Sequence, residues 1–230
     1  MHPALFAARV RADDALASER TPETLAAAAK AGYRTFDDAL ANMADDIAAD
    51  GPVACKAGCN WCCHQHVSVL AAEAIAVHAH VAGTQYADRL RAAIPAIVGK
   101  DSAARAAARL PCPFLDPGGC GIYPMRPNRC RAVHSRDAEY CRRRYEGVRG
   151  EPVPADKPIP VEPVRAADAV LAGLGQALRG RGLPVAALEF VHALAILEAD
   201  PGAAAAYAAG EDVFAPARIA PPLAEPDGND

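Results

Sequence analysis

Cys55-Lys56-Ala57-Gly58-Cys59-Asn60-Trp61-Cys62-Cys63 puts four thiols into nine residues. The other four, Cys112, Cys120, Cys130 and Cys141, share one 30-residue stretch further on, and no cysteine lies before 55 or after 141. The thiols therefore belong to the middle of the chain, and both ends must hold themselves together without them. Around that middle the sequence reads as a mainly α protein: a helical bundle with irregular cysteine-bearing loops and one small β-hairpin. Four segments follow, with N-terminal helices over 1–50 and a cysteine-cluster module over 51–149. A proline-rich strap with C-terminal helices covers 150–214, and a disordered tail covers 215–230.

A chain of 230 residues can bury a core large enough to fold without disulfide staples. Met1–Arg9 has no uninterrupted apolar run and gives way to charge at Asp13 and Asp14, so no secretory signal is visible. No apolar run approaches the roughly 20 residues that span a bilayer. The expected compartment is the cytoplasm, where thiols stay reduced and clustered cysteines mean metal or redox chemistry. The net charge of −4 argues against general nucleic-acid binding.

Upstream of the cysteines, residues 3–20 read as a helix with Leu5, Phe6, Val10 and Leu16 apolar. Thr21-Pro22-Glu23 then restarts the helix with a capping hydroxyl, a proline at the first position and an acid in the first turn. That helix should run to Ala49, with Leu25, Tyr33, Phe36, Leu40, Met43 and Ile47 on its apolar face and Gly32 as a weak point. Gly51-Pro52 ends it. Downstream, helices are expected over 67–81, 85–98 (kinked or ended by Pro95) and 101–110. Two short strands near Phe114-Leu115 and Cys120–Tyr123 would flank the turn Asp116-Pro117-Gly118-Gly119. A short helix over 137–145 carries Cys141. Five prolines mark 150–163 as a linker or strap. Helices resume over 164–178 and 185–198, with Leu188, Val191, Leu194, Ala195 and Leu197 as core residues, and a short one covers 201–209.

Thiolates are soft ligands that suit zinc, copper(I) and iron–sulfur clusters. Cys59 and Cys62 have the C-x2-C spacing by which one loop supplies two ligands, and Cys55 adds a C-x3-C step. Adjacent Cys62 and Cys63 should point apart, so they could serve two metals or two irons of one cluster, or one of them could be no ligand at all. All eight cysteines are candidate ligands, as two four-thiolate sites or as one cluster with spare thiols. His64, His66 and His134 lie close enough to be ligands or supporting donors. His78, His80 and His192 fall on helices and read as packing or surface residues. Trp61 should pack over the site and exclude water.

Between Arg126 and Arg149, eight arginines face three acids, a local charge of +5. A solvated face explains this without function. Alternatively the arginines offset thiolate charge, or hold an anionic small molecule or protein partner, with Arg126 and Arg131 the leading contributors.

The order Cys55-x3-Cys59-x2-Cys62-Cys63, Cys112-Pro113-Phe114-Leu115, Cys120-Gly121-Ile122-Tyr123, Arg126-Pro127-x2-Cys130-Arg131 and Cys141 resembles the YkgJ-type cysteine-cluster family over residues 52–145. That family is described as a zinc- or iron-chelating domain with eight cysteines, and it is similar to flagellin lysine methylases thought to use an iron–sulfur cluster with S-adenosylmethionine. The resemblance implies a metal centre, with an iron–sulfur cluster leading and Zn2+ close behind. Two other readings stay open: a cluster-dependent modifying enzyme that uses S-adenosylmethionine, and a carrier or buffer for zinc or copper(I). Cys55-x3-Cys59-x-Trp61-Cys62 also has the form of the radical S-adenosylmethionine motif. Those enzymes set it after the first strand of an α/β barrel, whereas helix surrounds it here.

Overall fold

Thr21 and Thr24 close a reciprocal cap at the start of helix α2 (Pro22–Asn42): Thr24 N donates to Thr21 Oγ1 at 3.3 Å and Thr21 N to Thr24 Oγ1 at 2.9 Å. Two N–H groups that a first helical turn leaves unpaired are thereby satisfied. The computed structural model describes residues 2–56, 58–146 and 159–219. Before α2, helix α1 covers Pro3–Ala15, five residues shorter than expected. After it, the helix expected to reach Ala49 breaks at Met43 and resumes as α3 (Ala44–Ala49).

α1 turns its alanines inward rather than its largest side chains. Ala4, Ala8 and Ala12 are buried at four-residue intervals, while Phe6 and Val10 are 64% and 40% exposed. The reason lies on helix α9 (Val161–Gly180), along which α1 packs. A Cβ on Gly173 would collide with the Leu5 carbonyl oxygen, so the two backbones meet too closely for large side chains between them. Gly32 on α2 has a similar use, since it faces Val170 and the Asn128 side chain at contact distance.

Against this pair lies a second set of helices. α4 (Ala71–Val81) packs between α2 and α10 (Phe190–Ala199), and α5 (Gln85–Ile97) packs on α10. Ala71 to Val77 are all buried, Glu73 among them, as befits a helix covered on several sides. Pro95 falls inside α5, which ends two residues later. Of the core residues expected in α10, Val191, Leu194 and Leu197 are buried; Ala195 is only half-buried and Ala193 takes the inward position. Short helices complete the chain: α6 (Ser102–Ala108), α7 (Asn128–Ala132), α8 (Ala138–Glu146) and α11 (Ala203–Ala209).

Two small antiparallel strand pairs complete the mainly α fold. β1 (Ser68–Val69) pairs with β4 (Leu188–Glu189), and β2 (Leu115–Asp116) with β3 (Gly119–Cys120). The second pair is the expected hairpin. The first was hidden, because its residues sit at the starts of stretches that read as helix, and each strand gains its partner only from the folded chain. The C-terminal helices are anchored there: Phe190 N donates to the Val67 carbonyl at 3.0 Å, and Ile219 N to the Ala187 carbonyl at 2.9 Å. Ala215–Ala217 form a 3₁₀ turn, so the tail expected from 215 begins in packed structure; its last residues, 220–230, lie outside the described residues. Most of the proline-rich stretch, 150–158, also lies outside them. Among the described residues no helix is long and apolar enough to cross a membrane.

Candidate metal centre

α4 and α5 carry the chain out from the first cysteine loop and back, and the two loops are then stitched backbone to backbone. Cys112 N donates to the Cys63 carbonyl at 2.7 Å, Gly58 N to the Gly118 carbonyl at 3.1 Å, and Ala54 N to the Ser135 carbonyl at 2.7 Å. Gly58 sits at φ +84°, a conformation that glycine reaches without steric cost. The eight thiols are all free; Cys55 is exposed and the other seven are partly buried.

Burial and mutual charge act on most of the thiols. Burial pushes the Cys55 thiol up, and charge on Cys59, Cys62 and Cys141 adds to the rise. Cys141 is raised by burial and again by Cys59 and Cys62, while a hydrogen bond with Ser135 pulls the other way. Ser135 N donates to Cys55 Sγ at 3.2 Å, so one serine contacts both thiols. On the other side, burial holds Cys112 at about 11 and Cys130 well above the ordinary thiol range. Cys130 feels charge on Cys112, Cys62 and Cys120. Cys120 is raised by burial and also feels Cys62. Cys62 thus neighbours both sets. Its own thiol is raised first by the interaction with Cys63, then by burial. The two adjacent side chains, expected to point apart, are close partners because Trp61–His64 winds into a tight 3₁₀ turn.

Trp61, His64 and Tyr145 pack that turn against α8, with ring centroids 5.3 Å apart for Trp61–Tyr145 and 4.6 Å for His64–Tyr145. The Arg109 guanidinium lies over the Tyr145 ring, 5.5 Å from its centroid. Trp61 therefore packs on the turn that carries Cys62 and Cys63.

The basic stretch divides. Arg131 is committed: it donates to both Asp37 oxygens at 2.9 and 2.8 Å and to the carbonyls of Arg126 and Pro124, and it stacks on Tyr33. Arg129 pairs with Asp168, Arg136 with Asp50, and Arg142 with Glu139 and Glu146. Arg149 lies outside the described residues. Arg126 is different. It lies 3.9 Å over the Tyr123 ring and its charge favours the thiolates of Cys62 and Cys120; its buried Nε, like that of Arg136, has no hydrogen-bond partner among the described residues.

The donor set fits a thiophilic metal. Eight reduced thiols share two touching loops, and the buried Nε of Arg126 and the buried Nδ1 atoms of His64 and His134 have no partner among the described residues. Burial lowers the His134 pKa, so its imidazole is neutral, the form that binds metal. His66 is also lowered by burial and lies near Glu189 and Arg105. Among the described residues no three His, Cys, Asp or Glu side chains already stand in chelating geometry. Metal would have to displace thiol protons to draw the sulfurs together.

Three supports were invisible in the sequence. Tyr86 and Arg89 of α5 grip Asp116 in the hairpin, each at 2.5 Å, and Tyr86 lies so close to Gly121 that a Cβ there would collide with it. Glu73, fully buried, accepts from Leu70 N at 3.0 Å and from Asn128 N and Nδ2 at 2.9 and 3.1 Å. It thereby ties the start of α4 to the start of α7, which carries Cys130. Arg105 and Glu189 form a buried ion pair at 2.8 Å beside Cys112. Nothing local in the sequence marks Glu73 or Arg105, whose partners lie 55 and 84 residues away.

No curated protein and no solved structure matches the chain. Residues 54–146 match the family model CxxCxxCC, described as "Putative zinc- or iron-chelating domain". The match takes in the cysteine-bearing middle of the chain with all eight thiols, and it is to this family that the middle is similar.

Proposed function

We propose that this protein binds metal through its clustered cysteines, Cys55, Cys59, Cys62, Cys63, Cys112, Cys120, Cys130 and Cys141, with an iron–sulfur cluster as the leading occupant and zinc next. One observation carries the proposal: the two cysteine loops are stitched together, Cys112 N to the Cys63 carbonyl at 2.7 Å, Gly58 N to the Gly118 carbonyl at 3.1 Å and Ser135 N to Cys55 Sγ at 3.2 Å. Soft thiolates select zinc or iron–sulfur over hard cations. The C-x3-C-x2-C spacing favours a cluster. Arg126, with its unpartnered Nε, would offset the negative charge that several thiolates bring together. A second reading, a metal carrier, is favoured by Cys55, whose exposure leaves one donor open to exchange.

Anaerobic purification followed by counting iron, zinc and sulfide per chain tests the proposal. Iron with matching sulfide and a brown colour identifies a cluster; zinc without sulfide identifies the alternative. Because burial holds thiols such as Cys112 in the protonated form, uptake should release protons, and apparent affinity should rise with pH through the neutral range. A chain that binds neither metal at any pH would refute it.

A further inference from the structure

Most of the basic stretch is used within the chain: Arg129, Arg131, Arg136 and Arg142 each pair with a carboxylate. Arg126 pairs with none among the described residues. Its guanidinium carbon lies 3.9 Å from the centroid of the Tyr123 ring, so the cation rests on an aromatic face. Among the described residues its two terminal nitrogens make no hydrogen bond, and unlike the buried Nε they are open to water. The turn that carries this pair is firmly held. Ile122 and Met125 are buried, and Met125 N donates to the Ile122 carbonyl at 2.8 Å. Arg131 donates to the carbonyls of Pro124 and, at 2.9 Å, of Arg126, and is itself fixed by both Asp37 oxygens. What stays outside is Tyr123, 58% exposed, with Pro124 beside it. An exposed ring, a proline and an open guanidinium fork thus share one fixed turn. Tyrosine and arginine are enriched where protein interfaces concentrate their binding energy, because a ring or a planar fork held in advance loses little freedom on contact.

We infer that Tyr123, Pro124 and Arg126 form a docking point for a partner protein that presents an aspartate or glutamate beside an apolar side chain. The Arg126 fork takes the carboxylate through its two open nitrogens, and the Tyr123 ring and Pro124 cover the apolar neighbour. A carboxylate suits the site better than a phosphate. A dianion calls for several cations, and the four arginines named above are already neutralised. A protein suits it better than a small anion, because so exposed a ring offers its area to an opposing surface. The inference does not depend on the metal reading and applies to the chain with or without bound metal. Cys120 lies three residues before Tyr123, so a partner held here stands next to the cysteine module.

The test sets the full-length chain, reduced and kept anaerobic, against a library of short random peptides displayed on phage. Peptides that survive selection should carry an aspartate or glutamate next to an apolar residue. The strongest of them, synthesised with blocked ends, is then titrated by fluorescence anisotropy. Its affinity should fall about tenfold or more in Arg126→Ala and in Tyr123→Ala, and changing its acid to the amide should do the same. Arg126→Lys keeps the charge but not the fork and should recover only part of the loss. Arg144→Ala, which removes an exposed arginine of the same stretch, should bind as the native chain does. Circular dichroism reports the fold. Should Arg126→Ala fail to fold, Tyr123→Ala and the amide peptide read the same contact, since so exposed a ring can be removed without opening the core. Selection of peptides without an acid, selection of none, or an affinity unchanged in Arg126→Ala and Tyr123→Ala overturns the inference and leaves metal binding untouched. Displacement of the peptide by inorganic phosphate also overturns it, by marking a site for small anions.

Discussion

Between α1 and α9 the chain buries alanines and a glycine, and two backbones touch. Between Cys55 and Cys141 it buries thiols, imidazoles and guanidinium groups, and the backbone runs mostly in turns. The first region gains stability from apolar area and close packing, which need no partner from outside. The second keeps unsatisfied polar atoms at Arg126, His64 and His134, and thiols held in their neutral form by burial. Such groups are costly in a folded chain unless something completes them. The frame is thus finished on folding, whereas the module, on the proposed reading, would be finished by a metal. The contacts between them run through a few specific polar links: Glu73 to α7, and Tyr86 and Arg89 to the hairpin.

The sharpest way to break this division is at the α1–α9 crossing. Gly173→Val places side-chain atoms where the Leu5 carbonyl and Ala8 already stand. Separating the helices or distorting the backbone should cost about 3 kcal/mol or more. A urea midpoint shifted strongly downward, with unchanged metal per folded chain, is expected. If Gly173→Val unfolds at the native midpoint, the close crossing does not hold the frame together.

These two regions were also unequally legible in sequence. The cysteines announced the module, because thiols clustered at close spacing are soft ligands in search of a metal. Thr21-Pro22 announced α2 because the cap is local. The face of α1 was not legible: alanine is weakly apolar, and nothing in residues 3–15 tells that Gly173 will approach so closely. Arg131, singled out beside Arg126 as a partner for thiolate charge, instead serves Asp37 and two carbonyls. Two positions five residues apart in one basic stretch gave no means of telling them apart, since Asp37 lies 94 residues away in sequence. The β1–β4 pair and the Arg105–Glu189 ion pair escaped for the same reason: each is made by residues that only the tertiary fold brings together.

A more moderate effect is expected at the link between the regions. Glu73→Gln keeps the size of the side chain but replaces one acceptor oxygen with a donor. The carboxylate now accepts three N–H groups through its two oxygens; the amide would leave one of these donors facing an NH2. Loss of a buried hydrogen bond to a charged group costs about 2 kcal/mol. The start of α7 would loosen, and Cys130 with it. Metal should then leave faster to a chelator, while far-ultraviolet circular dichroism stays native. Unchanged release kinetics would mean that Cys130 is held in place by other contacts.

The smallest effect is expected at the hairpin. Tyr86 donates its hydroxyl to Asp116 Oδ2, and Arg89 holds the other oxygen. Together, Tyr86 first and then Arg89, they hold the Asp116 carboxyl below the usual carboxylate range. A depressed folded-state pKa adds stability that is fully present above the unfolded value, about 3.9 for aspartate, and is lost as pH falls through the lower folded value. Tyr86→Phe removes the larger of the two causes. Its stability at neutral pH should fall by less than in Glu73→Gln, because the site is open to water and Arg89 remains. The acid-side loss should also become shallower, since less of the depression is left to lose. Urea midpoints compared at neutral pH and near pH 3 read this directly. A variant with the native acid slope would show that the hydroxyl does not hold Asp116, and would leave Arg89 and the tight contact at Gly121 to fix the hairpin that presents Cys120.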